Sequence, residues 1–152
     1  MTRVHLVLFA ALGSAALLAG AFVFQALGYA PCKMCLWQRW PHAAAVLIGG
    51  LALAFPHRVW ACLGAAAAGV TAAIGVYHTG VERDWWQGPT TCTSGSIADI
   101  GAEDLLNQIL AAPMVKCDEV AWQMLGLSMA SWNAAASLAL VFVWIAAARR
   151  RD

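Results

Sequence analysis

Four apolar runs, each about as long as a bilayer is thick, leave this chain few ways to fold. They lie at about 4–27, 33–55, 59–77 and 130–148. At roughly 1.5 Å of rise per residue, about 20 apolar residues cross the hydrocarbon layer as an α-helix. In that layer the backbone must satisfy its own hydrogen bonds, which excludes open sheets and lipid-exposed loops. Of the 152 residues, 62% are hydrophobic and 11% charged. Soluble domains carry roughly 25% charged residues, so no stretch remains for a separate soluble unit. The expectation is an all-α, integral-membrane four-helix bundle: one four-span domain over 1–152 with a long outer loop at 78–129. The first run exceeds the roughly 7–15 residues of a signal-peptide core, and is read as a span rather than a cleaved leader.

The second span contains a conflict. Pro41 suits a first helical position, but from Pro41 to Phe55 there are 15 residues, too few to cross. A start near Lys33 is long enough, and requires the helix to run on through Pro41 with a kink. That start places Cys32 and Cys35 at the helix N-terminus. Small residues in the spans (Gly49, Gly50, Gly64, Gly69 and Ala65 to Ala68) permit close helix approach. Arg3, Arg58 and Arg149 to Arg151 crowd one side in short segments, while Lys33, Arg39, Arg83 and Lys116 are spread over the other. The density of positive charge puts both termini in the cytoplasm and the loop outside.

The outer loop carries seven acids against two basic residues. Within it, Ala102, Leu105, Leu106, Ile109 and Leu110 recur at helical spacing, which predicts a short helix lying at the interface. Trp85, Trp86, Trp122 and Trp132 suit the headgroup level as an aromatic belt.

Cysteine placement narrows the chemistry. Cys32 and Cys35 form a C-x-x-C directly after the first span; Cys92 and Cys117 lie in the outer loop. All four fall on one side of the membrane, and disulfides persist outside the cytosol. C-x-x-C pairs serve redox, zinc and haem sites. Leu36 stands where haem attachment needs a histidine, and the wide spacing of Cys92 and Cys117 makes a poor zinc site. Purely structural disulfides remain open. Cys32, Cys35 and Arg39 share one helical stripe, so Arg39 sits one turn inside from Cys35, where it either supports a thiolate or snorkels to the headgroups. Cys62 reads as a small buried apolar residue, and His5, His42 and His57 belong to no evident constellation.

Several stretches together carry a family resemblance: Pro31-Cys32-Lys33-Met34-Cys35 with Arg39, Tyr77-His78-Thr79, Cys92, and Cys117 followed by Trp122-Gln123-Met124-Leu125-Gly126-Leu127-Ser128-Met129 and Trp132. The chain resembles the bacterial inner-membrane disulfide-bond-forming oxidases, the DsbB family, over essentially its whole length. The resemblance implies a membrane oxidoreductase, multi-pass in the cell inner membrane with its redox loops periplasmic. Such a protein reoxidises a soluble periplasmic thioredoxin-fold, DsbA-like dithiol oxidase and passes the electrons to a membrane quinone, ubiquinone or menaquinone. It further implies that Cys92 meets the partner, Cys117 attacks Cys32, and Cys35 faces the quinone near Arg39 and His78; no metal is implied. Two other readings stand beside it: a non-catalytic membrane protein with structural disulfides, and a transmembrane thiol electron conduit.

Overall fold

The computed structural model describes residues 1–89 and 115–150. Cys92 and the expected interfacial helix lie outside the described residues. Four long helices account for most of the rest: α1 (Arg3–Ala26), α2 (Lys33–Ala54), α3 (Arg58–Glu82) and α4 (Met129–Arg149). α1, α3 and α4 are long and apolar enough to cross a membrane. α2 has 22 residues, enough for about 33 Å, but its first three turns carry Lys33, Gln38, Arg39 and His42.

Local chemistry sets the helix starts. Cys32 caps α2 by accepting the Cys35 backbone N–H at 3.2 Å, and Ser128 caps α4 by accepting that of Ser131 at 3.2 Å. His57 Nδ1 accepts the Val59 N–H and opens α3 after a connection of three residues, 55–57. α2 runs unbroken through Pro41, as the length argument requires.

α3 departs from expectation. It continues to Glu82, five residues past the expected end at 77, so His78 and Glu82 belong to the bundle rather than to the loop. Their polarity hid the continuation. In the structure both side chains turn inward and are almost fully buried.

Each helix packs on two neighbours: α1 on α2 and α4, and α3 on α2 and α4. At the end bearing the chain's N-terminus, Val7, Ala10, Ala52, Ala61, Leu140, Trp144 and Ala147 form a buried apolar cluster. Gly64 shows why small residues recur there: a Cβ on it would lie 2.6 Å from the Trp144 ring. Cys62 is exposed on the flank of the bundle rather than buried. One residue from buried Ala61 and two from buried Gly64, it falls on the outward side of α3.

Ahead of α4 stands a short antiparallel hairpin, β1 (Gln123–Met124) and β2 (Leu127–Ser128), with Gln123 opposite Ser128. Leu125 and Gly126 turn it with φ of 55° and 75°, both left-handed as a two-residue type I′ turn demands. Trp132 Nε1 donates to the Met124 carbonyl at 3.2 Å and Arg83 to the Gly126 carbonyl at 3.3 Å, tying the hairpin to α4 and α3. Trp86 stacks on Tyr77, donates to its carbonyl at 2.8 Å and covers Gly80. Trp122 packs edge-on to Phe24, with ring centroids 5.0 Å apart. Three of the four expected belt tryptophans thus hold the cysteine-bearing end together.

Candidate active site

Capping α2 with Cys32 puts two sulfurs on one helical turn. The Cys32 thiol donates to Cys35 Sγ at 2.9 Å. That hydrogen bond, then burial, push the Cys32 thiol well above the ordinary cysteine range. Cys32 and Met34 share a buried cluster with Val81 of α3 and with Cys117, which is fully buried. Cys35 packs against that cluster from a less buried position. The loop cysteine at 117 and the C-x-x-C, 82 residues apart in sequence, therefore meet in one place.

Cys35 also lines a cavity of about 290 Å³ between α1, α2, α4 and the segment around Trp122. Leu17, Leu18, Phe24 and Trp132 supply apolar wall; Gln38, Arg39, His42, His78, Glu82 and Asn133 supply polar groups. Arg39 reaches α1, donating to Gln25 Oε1 at 2.6 Å and to the Ala21 carbonyl at 3.3 Å, with its guanidinium 4.8 Å from the Phe22 ring centre. Its Nε is buried and has no partner among the described residues. Arg39 is thus held across the cavity wall by named contacts, not extended to a headgroup.

His78 stands behind the sulfurs. Its Nε2 lies 3.5 Å from Cys32 Sγ and 3.9 Å from Glu82 Oε1, and its Nδ1 lies 3.0 Å from Gln38 Nε2. The Cys117 backbone interacts with the same ring. Glu82 accepts a short hydrogen bond from the Ser128 hydroxyl at the head of α4.

A polar network continues inward from His78 across α2, α3 and α4. Asn133 Nδ2 donates to Gln38 Oε1 at 2.7 Å and to Thr71 Oγ1 at 3.2 Å; Asn133 Oδ1 faces His42 Nε2 at 2.8 Å. The Thr71 hydroxyl donates to the Gln38 backbone carbonyl at 3.2 Å. Gln38, His42, Thr71 and His78 are all buried. Sequence reading missed Gln38, Glu82, Thr71 and Asn133 and dismissed His42. The available signal was polar residues inside apolar spans, which are costly unless paired and mark functional positions. At the far end of the network, His42 Nδ1 is buried without a partner among the described residues. Such an acceptor costs about 1–3 kcal/mol when nothing bonds it.

Cys32, Cys35 and His78 have their ligating atoms within 4.8 Å of one another. The two sulfurs, however, are closer than the roughly 3.8 Å that tetrahedral zinc with 2.3 Å bonds imposes on its thiolates. Their spacing suits thiols that exchange a proton or close a disulfide. An apolar slot with a few convergent polar atoms suits a flat, lipid-soluble head group. The unpartnered Arg39 Nε–H and His42 Nδ1 fit the polar ends of a quinone-type molecule.

Comparison with known proteins identifies the family. The family model of disulfide bond formation protein DsbB matches residues 3–147. A disulfide bond formation protein B of Verminephrobacter eiseniae is 31% identical over 130 residues, covering 80% of this chain and 72% of its own length. One from Xanthomonas oryzae pv. oryzae is 33% identical over 132 residues, covering 80% and 76%. No solved structure matches the chain significantly. A membrane helix bundle that gathers three of its cysteines beside an apolar cavity, matched by the family model over residues 3–147, belongs to the disulfide bond formation protein DsbB family.

Proposed function

We propose that this protein reoxidises a soluble periplasmic thioredoxin-fold dithiol oxidase and delivers the electrons to a membrane quinone, ubiquinone or menaquinone. On this reading it sits in the bacterial inner membrane, with both termini cytoplasmic and the cysteine-bearing end periplasmic. The single observation that carries it is the packing of Cys117 on Cys32 while Cys35 opens to the cavity.

The order of exchange is the one the family resemblance implies, and the clustering of Cys117 with Cys32 supports its second step. Cys92 forms the mixed disulfide with the partner, and the partner's second thiol resolves it, leaving Cys92 and Cys117 as thiols. Cys117 then attacks Cys32 Sγ of the Cys32–Cys35 disulfide, which breaks and releases Cys35 as thiolate. Attack of Cys92 on the Cys117–Cys32 bridge restores the first disulfide and frees Cys32. The first pair thereby passes two electrons to the second, which is left as two thiols; closing the Cys32–Cys35 disulfide again would release those two electrons and two protons. The start of α2 favours negative charge on Cys35. Arg39 and His78 hold the head group, and His78 also fixes the Cys32 sulfur. A bound quinone supplies the two-electron, two-proton sink. A strongly oxidising partner needs such a sink for its regeneration.

Cys62 is exposed on the flank near the opposite end and gives no onward thiol route, which counts against an electron conduit. The test is anaerobic: purified protein, a short-chain ubiquinone, and a reduced thioredoxin-fold dithiol added or withheld. Quinone reduction should depend on the dithiol and vanish in Cys35→Ser. Dithiol-dependent reduction that survives Cys35→Ser would remove Cys35 from the path, and no reduction by the unaltered protein would leave only structural cysteines.

A further inference from the structure

We infer that His42 is a redox-state-selective contact in the cavity: a fixed hydrogen-bond acceptor that favours the hydroquinone form of the head group over the quinone. The inference rests on the reading of the cavity as a quinone site and goes beyond it by assigning a residue and a preference.

The assignment follows from one backbone carbonyl. Thr71 gives its only hydroxyl proton to the Gln38 carbonyl, so it offers Asn133 nothing but lone pairs. The Asn133 atom at 3.2 Å from Thr71 Oγ1 must then be the amide nitrogen. Asn133 Oδ1 is thereby turned to His42, and His42 Nε2, at 2.8 Å, must carry the proton. In the neutral imidazole Nδ1 is then a bare lone pair. His42 is 3% exposed, lines the cavity, and its Nδ1 has no partner among the described residues.

The other buried, unpartnered polar atom on the cavity wall is the Arg39 Nε–H, a donor. Among the described residues of the wall, the buried atoms left without a partner are thus one donor and one acceptor. A quinone has only carbonyl acceptors and meets His42 lone pair to lone pair. A hydroquinone has two hydroxyls, each able to accept from Arg39 or donate to His42. Tighter binding of the reduced form makes the bound couple a stronger oxidant.

The test uses disulfide-oxidised full-length protein in nanodiscs, kept anaerobic, with decyl-ubiquinone and decyl-ubiquinol as separate probes. The unaltered protein should bind the quinol about tenfold tighter than the quinone, equivalent to about 30 mV for a two-electron couple. His42→Leu should bring the ratio near unity, and His42→Gln, which can donate to Asn133 and present a carbonyl to the cavity, should restore part of it. Independently of any variant, ¹⁵N-histidine spectra of the unaltered protein should show His42 as the Nε2–H tautomer. Its Nδ1 resonance should shift on addition of quinol and not of quinone. Binding of both probes with a ratio unchanged in His42→Leu, or an Nδ1 resonance indifferent to quinol, overturns the role of His42. Failure of either probe to bind overturns the cavity's occupant as well.

Discussion

The two ends of this bundle are held together by different physics. At the end bearing the termini, Trp144, Val7, Leu140 and four alanines interlock, with no side-chain hydrogen bond across helices among the described residues there. At the cysteine end, contact runs through amides, imidazoles and hydroxyls joined across α2, α3 and α4. Lipid offers no hydrophobic drive between helices, so an apolar end must gain its stability from close fit. A polar end must satisfy every group it buries or leave one for a ligand. The first arrangement has one good geometry, and the polar atom it buries without a partner among the described residues, Trp144 Nε1, belongs to a residue that lines no cavity. The second leaves Arg39 Nε and His42 Nδ1 facing a cavity. One end therefore supplies shape and the other chemistry.

That division is open to direct attack, and the largest effect falls at the apolar end. Trp144 is fully buried and abuts Gly64, so Trp144→Ala should cost about 3–5 kcal/mol of stability. Unfolding in an SDS titration measures the loss. Quinone reduction per folded molecule should stay within about twofold, a margin of roughly 0.4 kcal/mol at RT ≈ 0.59. A collapse of turnover in the folded fraction would show that the two ends are coupled.

Next comes Arg39, at the seam between cavity and α1. Charge-assisted hydrogen bonds are worth about 1.5–3 kcal/mol, so Arg39→Ala should raise the quinone KM about 10- to 150-fold. Arg39→Lys should fall between, because a lysine retains charge without the fork that spans Gln25 and Ala21. Steady-state kinetics with a short-chain quinone decide it; an unchanged KM in Arg39→Ala would reduce the residue to a helix-to-helix tie.

Thr71→Val is the smallest and sharpest change. It deletes one hydroxyl and should cost only about 0.5–1.5 kcal/mol. Without that hydroxyl the Asn133 amide is oriented only by the Gln38 side chain, whose own amide can turn over with it, so His42 should populate both tautomers. Histidine ¹⁵N spectra would show the mixture. A single tautomer persisting in Thr71→Val would mean that some group other than Thr71 orients the network.

Much of the fold was legible before any coordinates. The lengths of the apolar runs settle the helices because the bilayer is a solvent of known thickness, and Lys33 as the start of α2 followed from that length alone. The cysteines pointed to thiol chemistry at one membrane face, and the family resemblance supplied the reaction class. α3 was drawn too short for the same reason: hydropathy reads His78 and Glu82 as loop, and only burial against α2 and α4 makes them helix interior. Cys62 was misplaced because composition does not say which side of a helix faces its neighbours.

The sequence by itself determined the class of solvent, the four long helices, and the end at which the thiols gather, since each depends on local composition or spacing. The tertiary structure decided that Cys117 clusters with Cys32 and that His42 joins Asn133 across 91 positions of chain. Those outcomes depend on angles between helices, and the atoms that set the second, the Thr71 hydroxyl and the Gln38 carbonyl, become partners only when α2 and α3 pack together.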